Sequence, residues 1–123
     1  MDPYRILVTG SRDWDQPEVI WEALERQVQL HVPADREGIL VHGGARGADA
    51  IAADWAYRYG LGIEEHRAEW DRHGRAAGHI RNALMVGLGA HVCLAFIKNA
   101  SRGATNCAAL AERAHIPIVR YCC

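Results

Sequence analysis

A chain of 123 residues, half of them hydrophobic and 24% charged, has the makings of one compact folded domain over residues 1–123 rather than of a disordered polymer. Its formal net charge of −1 gives no bulk attraction for nucleic acid or an anionic membrane, so a cationic function would have to be confined to a local pocket. No signal-like apolar stretch follows the opening MDPYR and no apolar run approaches a membrane span, which sets the cytoplasm as the expected compartment.

Five short apolar runs alternate with helical patterns: RILVTG at 5–10, GILVHGG at 38–44, a weaker IEEHRA at 63–68, AHVCLAF at 90–96 and IPIVRY at 116–121. That alternation predicts an α/β, Rossmann-like three-layer domain with a mostly parallel sheet of about five strands. Between the first two runs, PEVIWEALERQVQLHV places Pro17 near a helix start and Trp21, Leu24 and Val28 on one face. In ADAIAADWAYRYG the predicted stripe is Ala48, Ala52, Trp55 and Tyr59, with Gly60 as the stop. A third helix is expected within GRAAGHIRNALMVGLG (74–89). A last one is expected from Thr105 or Asn106 to the residues before Pro117. The run IEEHRA is too polar for a central strand.

In open α/β sheets ligands collect beyond the carboxyl ends of the strands. Here those positions are Gly10-Ser11-Arg12-Asp13, His42 to Asp49, Glu69-Trp70, and Ser101 to Asn106. The densest is HGGARGAD, with Gly43, Gly44 and Gly47 around Arg46. It lacks the Lys-Ser or Lys-Thr pair of a Walker A loop, and no GxGxxG follows the first strand, so neither conventional ATP hydrolysis nor dinucleotide binding of that type has support. Two readings remain: backbone amides and Arg46 cradle an anion at a helix start, or the segment is a tight turn with Arg46 in solvent.

Arg81 falls on a helical face with Leu84, Met85 and Leu88. At the end of a core-facing stripe an arginine must reach an anion, pair with a structural carboxylate such as Asp49, or snorkel to water. Arg12 and Arg102 lie near other strand ends. Ser11, Ser101 and Thr105 are hydroxyls for phosphate oxygens or for their own turns, and Asp13 and Asp49 are ribose or arginine partners, or caps. His42 and His73 either touch ligand or are structural, and Trp70 either stacks on a base or packs. Cys93, Cys107, Cys122 and Cys123 match no zinc or redox spacing; Cys93 reads as a small buried hydrophobe and the terminal pair as exposed thiols. No metal and no cofactor is expected.

The segments VTGSRDW (8–14), VHGGARGADAIAADWA (41–56), AEWDRHGRAAGHIRNALM (68–85) and GATN (103–106) followed by ERAHIPIV resemble, in that order, the YspA-like branch of the SLOG superfamily, over roughly residues 4–121. The wider group includes phosphoribohydrolases once called lysine decarboxylase-like, the DNA-processing protein DprA, and sensors of nucleotide-derived signals, and many members occur in bacteria and their phages. The resemblance implies a Rossmann-like fold with ligand contacts at Gly10, Ser11 and Arg12, at Gly43, Gly44, Arg46, Gly47 and Asp49, at Arg81 and Asn82, and at Gly103 and Thr105. Asn82 stands where the phosphoribohydrolases carry a lysine, and Ala108 where their PGGxGTxxE element carries its acid. Asp13, Asp49 and Glu69 are the carboxylates left as substitutes.

Three functions follow as expectations. The first is binding of a nucleotide or nucleotide-derived molecule, of ADP-ribose type for instance, in a glycine- and arginine-lined crevice. The second is phosphoribohydrolase-like cleavage of an N-glycosidic bond, and the third a DprA-like DNA or protein interaction module, which the net charge disfavours. A homodimer or higher homo-oligomer formed through helices is the expected assembly, in host cytoplasm if the chain is phage-encoded, with neither nucleic acid nor membrane as a partner.

Overall fold

The computed structural model describes residues 2–122, and Cys123 of the terminal thiol pair lies outside them. The strands are β1 (Tyr4–Gly10), β2 (Gly38–His42), β3 (Gly62–Glu65), β4 (Val92–Ile97) and β5 (Ile118–Cys122). The helices are α1 (Pro17–His31), α2 (Ala48–Tyr59), the short α3 (Trp70–His73), α4 (Ala77–Leu88) and α5 (Arg102–Arg113), with a 3₁₀ turn at Gly74–Ala76. All four strand pairings are parallel, in the order β3-β2-β1-β4-β5. This is the Rossmann-like α/β sheet that the alternating pattern predicts. No helix among the described residues is long and apolar enough to cross a membrane.

Strand order sets where a ligand can go. From β1 the chain winds outward through β2 to β3, then returns across the sheet to β4 on the other side of β1. The carboxyl ends of β1 and β4 therefore send their connections to opposite faces, and a crevice opens between them. Side chains alternate across β1: Ile6 and Val8 pack with Ile20, Leu24, Ala48 and Ala52 of α1 and α2, whereas Leu7 packs with Met85, Val86, Cys107 and Ala111 of α4 and α5. Phe96, fully buried on β4, is stacked on Tyr121 and meets Trp14 edge-on.

The polar third run is indeed an edge strand. Glu64 lies beside Val41 in the register and takes two hydrogen bonds from Arg5, each 2.9 Å, with His66 at 2.8 Å. Those contacts hold its carboxyl down at about 2, with the Arg5 bond the larger cause. An ion-paired edge thus replaces the apolar packing that a central strand would need.

Three helix faces differ from the sequence expectation. In α1 the buried line is Ile20, Ala23, Leu24 and Val28, and Trp21 is left exposed. In α2 the sheet contact is Ala48, Ala52 and Ala56; Trp55 and Tyr59 stack on one another at 4.7 Å outside that line. Small side chains allow close approach to the sheet, which pushes the large rings outward. In α4, Leu84 and Leu88 are exposed, and the buried residues are Ala77, Asn82, Met85 and Val86. Arg81 stands between Ala77 and Met85 on one line of the helix rather than at the end of a leucine stripe. The last helix begins at Arg102, three residues before the expected cap, because Asn99 and Ala100, both at positive φ, turn the chain early.

The alanine line of α2 is testable by volume. Ala52→Leu should lose about 1–3 kcal/mol in urea unfolding, since the site has no room for three more carbons. Tyr57→Ala, at an exposed position of the same helix, should stay within about 0.5 kcal/mol of the parent. Equal effects would mean that the helix is rotated from the orientation described.

Candidate functional site

The crevice between the ends of β1, β2 and β4 has a volume of about 650 Å³. The β1 end supplies Thr9, Gly10, Arg12 and Asp13; the β2 loop supplies Ala45, Arg46 and Asp49. Its far wall is Arg81, Asn82 and Met85 of α4, with Ser101, Gly103 and Ala104 at the start of α5. A second hollow of about 380 Å³ adjoins it and shares Arg12, Ala45, Arg46 and Arg81.

The backbone of Gly43 organises this end of the sheet. Its N–H donates to Asp49 Oδ2 at 2.9 Å, and its carbonyl accepts from Arg81 Nη1 at 2.6 Å. The guanidinium lies so close over the Gly43 Cα that any Cβ there would overlap it. Arg81 also donates through Nε to Asn82 Oδ1 at 2.8 Å, and Asn82 Nδ2 donates to the Gly103 carbonyl and to Asn106 Oδ1. One chain of hydrogen bonds thus ties β2, α2, α4 and α5 together. No ion pair joins Arg81 to Asp49, so the expected alternative of a structural pairing between them is corrected: the arginine is braced by a carbonyl and an amide oxygen, neither of which cancels its charge.

Asp49 itself is buried among these groups. Desolvation raises its pKa from 3.8 to about 6, against the opposing effects of the Gly43 and Ala45 N–H bonds and of Arg81 and Arg12 nearby. Both backbone bonds go to Oδ2, which leaves Oδ1 as the oxygen available to the crevice. His42, also buried, accepts the Gly44 N–H on Nδ1 at 3.0 Å; burial lowers its pKa, so the ring is the neutral Nε2–H form. It braces the loop and lines neither hollow.

The predicted ligand residues divide in a definite way. Gly10, Arg12, Arg46, Asp49, Arg81, Asn82 and Gly103 border the crevice, and Gly43 and Gly44 border the adjoining hollow. Ser11 lies underneath, its hydroxyl donating to the Lys98 carbonyl and accepting the Lys98 N–H, which leaves it bonded to the backbone just past β4 rather than to the crevice. Gly47, at φ +77°, packs its Cα on the carbonyls of Ser11 and Arg12 and so serves loop contact. Thr105 is on the exposed side of α5, and Ala104 takes the inward position instead. Thr9 and Ala45 also line the crevice, although nothing in their residue type marks a ligand contact, and Met85, which reads as core, lines it too; Arg67, a cation just beyond β3, carries such a signal.

With that geometry in hand, comparison with known proteins adds the family. A sequence model of the YspA, cpYpsA-related SLOG family matches residues 4–73, more than half of the chain. The chain belongs to this SLOG family. It is also 42% identical over 122 residues to the Gene 61 protein of Mycobacterium phage D29, with 95% of each chain covered. No solved structure matches it significantly. SLOG membership suggests a nucleotide-related ligand, and the match ends at α3, so Arg81, Asn82 and the α5 start lie beyond the family-matched residues.

Two outcomes test this SLOG site as built. Asp49 keeps its proton to about pH 6 when folded but only to about 3.8 when unfolded, so the folded state binds more protons between those values and stability falls as pH rises through them. Asp49→Asn retains an acceptor oxygen without the charge. Relative to the parent it should gain up to about 3 kcal/mol between pH 4 and pH 7 in urea titrations, and parallel curves would refute the buried carboxylate. Separately, Gly47→Ala should lose at least about 1–3 kcal/mol through its positive φ and the carbonyl contacts. Gly103→Ala, which opens into free space in the first turn of α5, should be neutral or gain up to about 1 kcal/mol.

Proposed function

We propose that the crevice binds a nucleotide or nucleotide-derived anion, with the phosphate on Arg12, Arg46 and Arg81. The observation that carries this reading is the meeting of three arginines, from three separate chain segments, on one hollow whose floor is strand-end backbone. None of the three has an ion-paired carboxylate to explain it: among the described residues the Arg12 and Arg46 side chains make no hydrogen bond or ion pair, Arg12 meeting only the Trp70 ring, and Arg81 is held by neutral oxygens. Three guanidinium groups facing one solvent-filled hollow repel one another, and a bound phosphate relieves that repulsion while accepting their charge-assisted hydrogen bonds. The start of α5 adds backbone N–H groups at the same wall. Asp49 Oδ1 and Asp13 are acceptors suited to sugar hydroxyl groups. The Asp13 carboxylate is positioned by Asn99 Nδ2 at 3.2 Å.

Binding is favoured over glycosidic cleavage by the fate of residue 108. Ala108, at the position where the resembling hydrolases carry their acid, is turned into the core and does not line the crevice. Asp49 is the carboxyl in the crevice whose environment brings its pKa nearest to neutral, which makes it the residue to examine if turnover is ever detected.

Arg46 gives the clean test because it is exposed and unbraced. Arg46→Ala should weaken AMP or ADP roughly ten- to a hundredfold in calorimetry, leave adenosine unchanged and leave the melting temperature near that of the parent. Arg81→Ala should show the same selectivity together with lower stability, because the Gly43 carbonyl and Asn82 lose their donor. Arg81→Lys should recover only part of the affinity, since lysine retains charge but not the planar fork. Equal losses for nucleotide and nucleoside would exclude the phosphate cradle.

A further inference from the structure

The second hollow is bordered on one side by the same Arg12, Arg46 and Arg81, and on the other by Arg67 and the indole of Trp70. Nothing in the proposed phosphate site uses that far side. Trp70 opens α3, a four-residue helix with no buried residue, and half of its surface is exposed. Its position is nonetheless defined. The Arg12 guanidinium stands 5.9 Å from the ring centroid, and the ring edge lies over Gly78 of α4, where a Cβ would be in van der Waals contact with it. An aromatic ring that contributes nothing to the core, held open beside four cations, has the composition of a stacking platform next to a phosphate-binding surface.

The arrangement also constrains ligand shape. Both hollows are lined by Arg12, Arg46 and Arg81, so a phosphate on these arginines borders the Trp70 hollow as well as the larger crevice. We infer that the Arg67–Trp70 hollow is a second subsite that takes a planar aromatic base. The base of the nucleotide stacks on Trp70 while its phosphate is held by Arg12, Arg46 and Arg81. Arg67 is tethered to Glu65 through Nε at 2.6 Å, which holds its remaining guanidinium nitrogens at the rim of this subsite. The inference rests on the phosphate reading of the crevice and adds to it the position of the base.

Calorimetry with ADP-ribose, ADP, ribose 5-phosphate and inorganic pyrophosphate separates the two ideas, using the full chain and its Trp70→Ala, Trp70→Phe and Arg46→Ala variants. Trp70→Ala should weaken ADP-ribose and ADP roughly tenfold and leave pyrophosphate and ribose 5-phosphate unchanged. Trp70→Phe, which keeps a ring face, should stay within about threefold of the parent. If Trp70→Ala leaves the ratio of ADP-ribose to pyrophosphate affinity unchanged while Arg46→Ala weakens both, the aromatic subsite is refuted and the phosphate reading survives. If Arg46→Ala weakens no probe, or the parent binds none, the phosphate reading falls and the subsite with it.

Discussion

The backbone of Gly43 is the constraint on which the ligand end of the molecule depends. Its N–H is held by a buried carboxylate from α2 and its carbonyl by a guanidinium from α4, and a Cβ at residue 43 would overlap that guanidinium. Asp49 and Arg81 are thereby fixed about a neutral dipole instead of being joined to each other. Direct pairing would have cancelled their charges and left a polar but unreactive wall. With the Gly43 backbone interposed, the two are not joined in an ion pair, and burial raises the Asp49 pKa to about 6 although the Gly43 and Ala45 N–H bonds oppose the rise.

Asn82 extends the same arrangement to the other half of the sheet. A lysine at this position, as the resembling hydrolases have, could only donate; the asparagine amide accepts from Arg81 and donates to α5 at once. The first turn of α5 is therefore positioned by the same residue that orients the arginine. Movement of either wall would be felt by the other through two hydrogen bonds.

Much of this was legible in the sequence because strands and strand-end loops have strong local signatures. Five apolar runs gave five strands, and three glycines in five residues gave the loop beside Asp49. Helix faces were less legible. In α4, leucines occur on the solvent side and an alanine and an asparagine on the buried side, so weighting by hydrophobicity selects the wrong stripe. In α2 the aromatic rings mislead for the same reason, since close packing demands alanine. Ser11 and Thr105 show a different limit. Whether a hydroxyl faces a ligand or a neighbouring backbone depends on a loop residue 87 positions away in the first case and on a helix start displaced by two residues at positive φ in the second.

The two buried thiols have a consequence for how the molecule can be watched. Cys93 on β4 and Cys107 on α5 are fully enclosed, and desolvation raises them from 9.0 to about 12 and about 11, which keeps both as thiols at neutral pH. Cys122, by contrast, is exposed. Among the described residues, alkylating reagents therefore encounter an accessible sulfur at the end of β5 and two that become available only when the α4–α5 layer lifts from the sheet. That layer carries Arg81, Asn82 and the α5 wall of the crevice. The chain thus contains its own chemical clock for breathing of the ligand side, readable as a rate of labelling and slowed by anything that holds the layer down.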